Sequence, residues 1–471
     1  MNTETMSPET PELSPYHRFH FIGIGGQGMS GIALVLNGLG FEVEGSDLKA
    51  SRYTRLLEKA GIRVALRHAV SNLRDPDVVV ISSAIPARNP ELQKARELGI
   101  PVVKRAQVLA WLMQGRRGIA VCGTHGKTTT SSMVARVLMD AGLDPSLVVG
   151  GELNDVGFNA RLGGGDFLVC EADESDGSLI YYRPEAAILT NIEFDHHSHY
   201  LHLNDIVATF RRFIGDLPPH GYLVYWGDDP RLRRLAAEAA RCRQLSYGLE
   251  TGNDYQAREI SLQHEGSRFE VWRRGHRLAR AELSIPGQHQ ILNAMGCFAL
   301  LSELGLSPAR IVETLRSFGG AARRFQWKGE RNGVNVVDDY GHHPTEIKAT
   351  LRTARLGEWK RVVAVFQPYL YSRTLYLQNE LATALLEADL AVVTDILGAR
   401  EDPRPGVTGK LVVDAILRQN PRAPVVYLPR LNSVPGFLDQ HTRPGDLVLT
   451  MGCGDVYRAG EVFLASERDR V

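Results

Sequence analysis

The chain has 471 residues, with 54 basic side chains against 54 acidic ones and a pI near 7.3. That length exceeds what one hydrophobic core serves and, at roughly 100–200 residues per domain, predicts about three domains. The balanced charge argues against a broad basic surface for nucleic acid or acidic lipid and leaves small molecules as the expected partners. Cys122, Cys170, Cys242, Cys297 and Cys453 are scattered, odd in number and without a C-x-x-C pair, which indicates neither a disulfide framework nor a thiolate zinc site and fits a reducing cytoplasm. No apolar run approaches the roughly 18 residues of a membrane span, so no membrane insertion is expected.

Residues 1–17 read as a disordered tail. From there "FHFIGIG", "DVVVISSAI" and "IPVVKRA" are short apolar runs separated by helical stretches, the pattern of a doubly wound parallel sheet, and they define a first domain, 18–115. Its opening turn carries Gly23, Gly25, Gly26, Gln27 and Gly28, with Asp47 nineteen residues after Gly28. Taken alone, this fingerprint predicts a dinucleotide such as NAD, as in an oxidoreductase. Its physics is narrower: a diphosphate on a helix N-terminus and a carboxylate for a hydroxyl, which a nucleotide-sugar diphosphate also satisfies.

The second domain, 116–321, starts with an apolar strand running into "GTHGKTTT", residues 123–130. Small residues let backbone N–H groups face phosphate oxygens, Lys127 can bridge the terminal phosphates, and Thr128 can hold Mg²⁺. The longer G-x-x-x-x-G-K-[ST] spacing needs a glycine where this chain has Val121, so the loop is a variant. Two more strands end in polar clusters. "EADESDGS" brings Glu171 and three further carboxylates, a candidate Mg²⁺ site. "TNIEFDHHSH" brings Asp195, His196, His197 and His199; with no cysteine or H-E-x-x-H beside them, one histidine assisting metal and phosphate is favoured over zinc. The alternation of 255–285 suits antiparallel strands, read as a small side sheet of this domain.

The third domain, 322–471, has strands at "GVNVVDDY", "RVVAVF", "LAVVTDI", "APVVYL" and "DLVLTMG". "DDYGHHPTE" concentrates titratable groups ahead of a helix expected to begin at Pro344. "FQPYLYSRT" leaves a strand with Arg373 available for a carboxylate, and Arg323 and Arg324 stand at the junction. Ligands gather at the carboxyl ends of strands in open parallel sheets, so three such edges predict a site between the domains.

In this order, "GIGGQGMSGIA", "GTHGKTTT", "EADESD", "TNIEFDH", "GQHQILNA", "RRF" and "DDYGHHPTE" resemble the Mur ligases, ATP-dependent amino-acid ligases of peptidoglycan synthesis. The resemblance spans Phe21 to about Tyr457 and is nearest to the branch that adds L-alanine to UDP-N-acetylmuramate. It implies three α/β domains: a Rossmann-like UDP-sugar domain, a central P-loop ATPase-type domain, and a C-terminal Rossmann-like amino-acid domain. It also implies ATP and Mg²⁺, with UDP-N-acetylmuramate and a small amino acid as partners, in a cytoplasmic monomer or weak homo-oligomer. Catalytic roles fall to Lys127, Glu171, His196, His342 and Arg373. Gly123, Thr124, His125, Gly126, Lys127, Thr128, Thr129, Asn293, Arg324 and Asp339 are expected around ATP, and Thr128, Glu171 and His196 around metal. Gly25, Gly26, Gln27, Gly28, Asp47, Tyr340 and Arg373 are expected on the substrates. Two departures stand out. After "FQP" the family has His-Arg where this chain has Tyr369 and Leu370, which keeps glycine, L-serine or a preformed murein peptide as alternative amines. Gln290 replaces a family asparagine near the adenine site.

Overall fold

The computed structural model describes residues 11–152, 154, 159–196, 199–399 and 401–466. Three sheets organise them. The first is parallel and five-stranded, in the spatial order Arg63–Leu66, Glu42–Asp47, Arg18–Ile22, Val78–Ile81, Val102–Lys104. Chain direction reverses its course across the sheet beside Arg18–Ile22, and the glycine turn leaves that strand at this switch point. The helix Gln27–Gly38 follows directly.

The central sheet has ten strands, with Arg117–Cys122 and its neighbours Ala186–Leu189 and Phe167–Glu171 in the middle. All three are apolar along almost their whole length because helices cover both faces. The helix Lys127–Asp140 is buried on nearly every side, from Thr128 to Leu138, and packs against Gln288–Glu303. Tyr255–Gln263, Gly266–Arg273 and His276–Leu283 are antiparallel to one another, as their alternation predicts. They do not stand apart as a side sheet, however. Tyr247 and Gly248 pair in parallel with Tyr255 and Gln256, so the hairpins extend the main sheet and protect its edge.

The third sheet has six strands, ordered Gln326–Arg331, Val334–Asp339, Asp446–Met451, Arg361–Phe366, Leu390–Val393, Val425–Tyr427. Only Gln326–Arg331 runs antiparallel to its neighbour. A helix begins at Pro344, as expected, with His343 as its cap and proline at the position whose N–H has no helical partner. Of the segment read as a disordered tail, residues 1–10 lie outside the described residues. Leu13 is fully buried in the core shared by the first and central sheets, and Trp111 Nε1 donates to Glu12, so apolar burial anchors the chain before its first strand.

Candidate active site

A cavity of about 940 Å³ opens where the carboxyl-end turns of the three sheets meet. From the first sheet it receives Gly26, Gln27, Gly28 and Arg105; from the central sheet the phosphate loop, Glu171, Asp195 and His196; from the third Tyr340, His342, Tyr369 and Arg373.

The phosphate loop is set by its neighbours as much as by its own glycines. The His125 amide donates to Asn191 Oδ1 at 2.8 Å, the Thr190 hydroxyl and Asn191 Nδ2 donate to the His125 carbonyl, and the Glu193 amide donates to Thr124 Oγ1 at 2.8 Å. Gly126 adopts φ +82°, and a Cβ there would come within 2.5 Å of Asn293 Oδ1. Lys127 Nζ donates to the Gly123 carbonyl at 2.5 Å, the Thr124 carbonyl at 3.1 Å, and both oxygens of buried Glu174 at 3.0 and 3.1 Å. Burial opposes the charge on Lys127, but Glu174 and Asp173 outweigh it and hold the ammonium firmly protonated.

Glu171 ends its strand with Oε1 accepting from the Gly150 amide at 2.7 Å. Among the described residues no donor meets its other oxygen, and Thr128 lines the same wall. An oxygen-rich corner with one free carboxylate oxygen suits a hard cation such as Mg²⁺. His196 has φ +57°, a conformation non-glycine residues rarely take, which aims Nε2 at Glu174 Oε1, 3.1 Å away. His199 packs edge-on against Tyr200, and His197 lies outside the described residues.

On the third-sheet side, Arg373 is bound bidentately to Asp195, at 2.8 and 2.9 Å from Nη2 and 3.0 Å from Nε. Among the described residues its buried Nη1 has no hydrogen-bond partner. Burial pushes Asp195 upward, yet Arg373 and the nearby histidines hold it well below the usual carboxylate range. His342 is driven down to about 4, chiefly by burial, so it is neutral at pH 7. Tyr369 lies against both the His342 ring and the Arg373 guanidinium. Leu370 takes φ +66° and is buried immediately before the helix Tyr371–Leu385.

A second cavity, about 200 Å³, adjoins the phosphate loop behind Gly126 and Thr129 and is walled by Asn293, Gln290, Trp226, Arg324 and Asp339. It thus brings together residues from "GQHQILNA", "RRF" and "DDYGHHPTE". Asp339 already accepts from the Phe325 and Gly341 amides and from the Thr350 hydroxyl. Arg323 is consumed by Asp338 and by the Gly452 and Gly454 carbonyls, which makes it a structural strut of the third sheet.

Two expected substrate residues, Gly25 and Asp47, are placed otherwise. Asp47 turns its carboxylate onto the Gly25 amide, at 2.9 Å, and neither residue lines the large cavity. The glycine turn offers an inward N–H that the carboxylate satisfies, so Asp47 braces the loop. Arg105 was not legible in the sequence because a lone arginine after a strand carries no spacing signal. Its guanidinium lies 3.1 Å from where a Gly28 Cβ would stand, with Asp173 at 3.5 Å. Glu174 was visible only as one member of an acidic run.

The chain matches three family models: "Mur ligase family, catalytic domain" over residues 18–117, "Mur ligase middle domain" over 121–301, and "Mur ligase, glutamate ligase domain" over 323–454. It is 50% identical to the UDP-N-acetylmuramate–L-alanine ligase of Pelotomaculum thermopropionicum, covering 94% of this chain and 95% of that one. The enzyme of the same name from Rubrobacter xylanophilus is also 50% identical, over 95% and 99% of the two chains. Among solved structures, the UDP-N-acetylmuramate-alanine ligase of Thermotoga maritima superposes with a TM-score of 0.81 at 28% identity, covering 95% of this chain and 98% of that one. A murein peptide ligase from Psychrobacter arcticus gives 0.73 at 27% identity, over 95% and 98%.

Proposed function

The chain belongs to the Mur ligase family, and from that membership we propose that it joins L-alanine to the lactoyl carboxylate of UDP-N-acetylmuramate at the expense of ATP. The carboxylate attacks the γ-phosphorus and ADP leaves; the alanine amine then attacks the acyl carbon of the resulting acyl phosphate, forming the amide and releasing phosphate. The observation that carries this reading is the single cavity shared by the glycine turn, the phosphate loop and the Tyr340–Arg373 wall.

An anionic nucleophile approaching a polyanion needs its charge neutralised, and phosphoryl transfer is largely positioning and electrostatics. Lys127 supplies a fixed cation once phosphate displaces Glu174. Mg²⁺ bound by Thr128 and Glu171, with His196 supporting, would supply further charge shielding. Asn293 and Asp339 flank the nucleoside, and Arg324 serves the phosphates. Gly26, Gln27, Gly28 and Arg105 take the UDP diphosphate. Tyr340, His342 and Arg373 position amino acid and carboxylate, His342 as a neutral ring at pH 7. The third-sheet domain excludes water that would hydrolyse the acyl phosphate. We assign 18–115 to the UDP-sugar, 116–321 to ATP and 322–471 to the amino acid. The enzyme acts in cytoplasmic peptidoglycan precursor synthesis as a monomer or weak homo-oligomer. Among the described residues no helix is long and apolar enough to cross a membrane.

The test is an endpoint assay with ATP, Mg²⁺ and UDP-N-acetylmuramate, offering L-alanine, glycine, L-serine and a murein tripeptide separately while reading phosphate and product mass. Preference for L-alanine with stoichiometric phosphate is expected. Preference for another amine would move specificity to Tyr369 and Leu370, and amine-independent or absent phosphate release would overturn the assignment.

A further inference from the structure

Among the described residues His125, Gly126, Arg324 and Glu346 line both the larger and the smaller cavity, and so form the neck between them. A nucleotide with its nucleoside in the smaller cavity and its phosphates on the loop has to cross this neck. On that assignment of the two cavities to ATP, we propose that Glu346 is a positioning residue that competes with nucleotide phosphate for two cations, Arg324 and His125. ATP displaces its carboxylate on entering, and the carboxylate reclaims both cations as ADP leaves.

The two oxygens of Glu346 have separate partners. Oε2 accepts from the His342 amide at 3.0 Å and the His343 amide at 3.3 Å, the reach-back of a capping-box glutamate at the start of the helix Pro344–Ala354. Capping accounts for that oxygen alone. Oε1 meets the cations of the neck, with His125 Nδ1 at 3.1 Å and Arg324 Nη1 at 3.7 Å. His125 is an imidazolium between two carboxylates, because its Nε2 has Glu193 Oε2 at 3.5 Å. Burial opposes that charge, but Glu346 and Glu193 outweigh it and raise the ring to about 9. Burial likewise works against ionised Glu346, yet the neighbouring histidines and Arg324 hold its carboxylate well below the usual range. A capping box needs only an acceptor, which a neutral glutamine also supplies. The charge on Glu346 is therefore not needed by the helix, and it is set on the two cations that a polyphosphate crossing the neck would meet. Two anions cannot hold the same buried cations without strong repulsion, so one has to yield. Lys127 and Glu174 stand in the same relation on the phosphate loop.

The test is calorimetric titration of the full-length protein with ATP, ADP and adenosine at one fixed Mg²⁺ concentration. Glu346→Gln keeps the capping acceptor and removes the charge, so it should bind ATP and ADP about tenfold or more tightly than wild type does. Adenosine carries no phosphate, and its affinity should change less than about twofold. A merely structural role for Glu346 would move all three ligands together. Circular dichroism establishes that the variant is folded. A crystal structure of the wild type with a non-hydrolysable ATP analogue provides a check independent of substitution, with Arg324 expected on phosphate and out of reach of Glu346. Unchanged or weaker ATP and ADP binding by Glu346→Gln, a parallel gain for adenosine, or an Arg324–Glu346 contact retained beside bound phosphate would each overturn the role of Glu346 while leaving the nucleotide site in place. Failure of the wild type to bind either nucleotide would overturn the ATP assignment and this role with it.

Discussion

Arg373 and Asp195, 178 residues apart, form a bidentate ion pair that is almost fully buried between the central and third domains, their side chains 3% and 5% exposed. A forked guanidinium matched to a carboxylate fixes orientation as well as distance. It therefore fixes the orientation of the third domain against the central one.

Removing one member should be costly. Arg373→Ala leaves Asp195 buried without its cation, and a destabilisation of about 3–5 kcal/mol is expected from denaturant unfolding. Arg373→Lys keeps the charge but not the fork, and should recover only part of that loss. Recovery of full stability by lysine would show that geometry is irrelevant to the pair.

Lys127 presents a different case, because in the proposed reaction phosphate takes the place of its partner Glu174. Lys127→Met should lower phosphate release by roughly 10²–10³-fold, the scale for losing one preorganised charge in transition-state stabilisation. Steady-state kinetics should place most of that loss in kcat. A change confined to the KM for ATP would instead make Lys127 a ground-state binding group.

Gly150 donates to Glu171, and a Cβ at Gly150 would come within 2.3 Å of Glu171 Oε2. Gly150→Ala should displace that carboxylate without unfolding the protein. The expected signature is a several-fold higher Mg²⁺ concentration for half-maximal activity at an unchanged melting temperature. An unchanged Mg²⁺ dependence would separate Glu171 from metal binding.

Glu91 gives the pH prediction. Fully buried, it accepts from Ser46 Oγ at 2.6 Å, Asn72 Nδ2 at 2.6 Å, the Ala69 amide at 2.9 Å, and pairs with His20 Nε2 at 2.9 Å. Burial raises its pKa, but these contacts outweigh that and hold it below the ordinary glutamate value. A lowered folded-state pKa gives stability that is complete above the unfolded value, about 4.3, and is lost as pH falls through the folded one. Glu91→Gln should cost about 1–3 kcal/mol at pH 7 and flatten the decline in urea midpoint below pH about 4.5. An equally steep decline in the variant would assign the acid sensitivity to other groups.

Much of this architecture is written locally. Apolar runs such as Arg361–Phe366 and Asp446–Met451 announce buried parallel strands, and Gly126-Lys127-Thr128 after Arg117–Cys122 announces a phosphate loop, because period and turn chemistry act over a few residues. Pro344 marks its helix start for the same reason. The resemblance carried by the ordered motifs identified the chemistry. Tertiary structure alone decided which charge meets which. Asp47 braces Gly25, Arg105 comes under Gly28, and Asp195 takes Arg373. It also joined 255–283 to the central sheet through two parallel pairings. A charged side chain carries no periodic signal of its partner; only once burial removes water does the cost of an unpaired charge select the one geometry that pairs it.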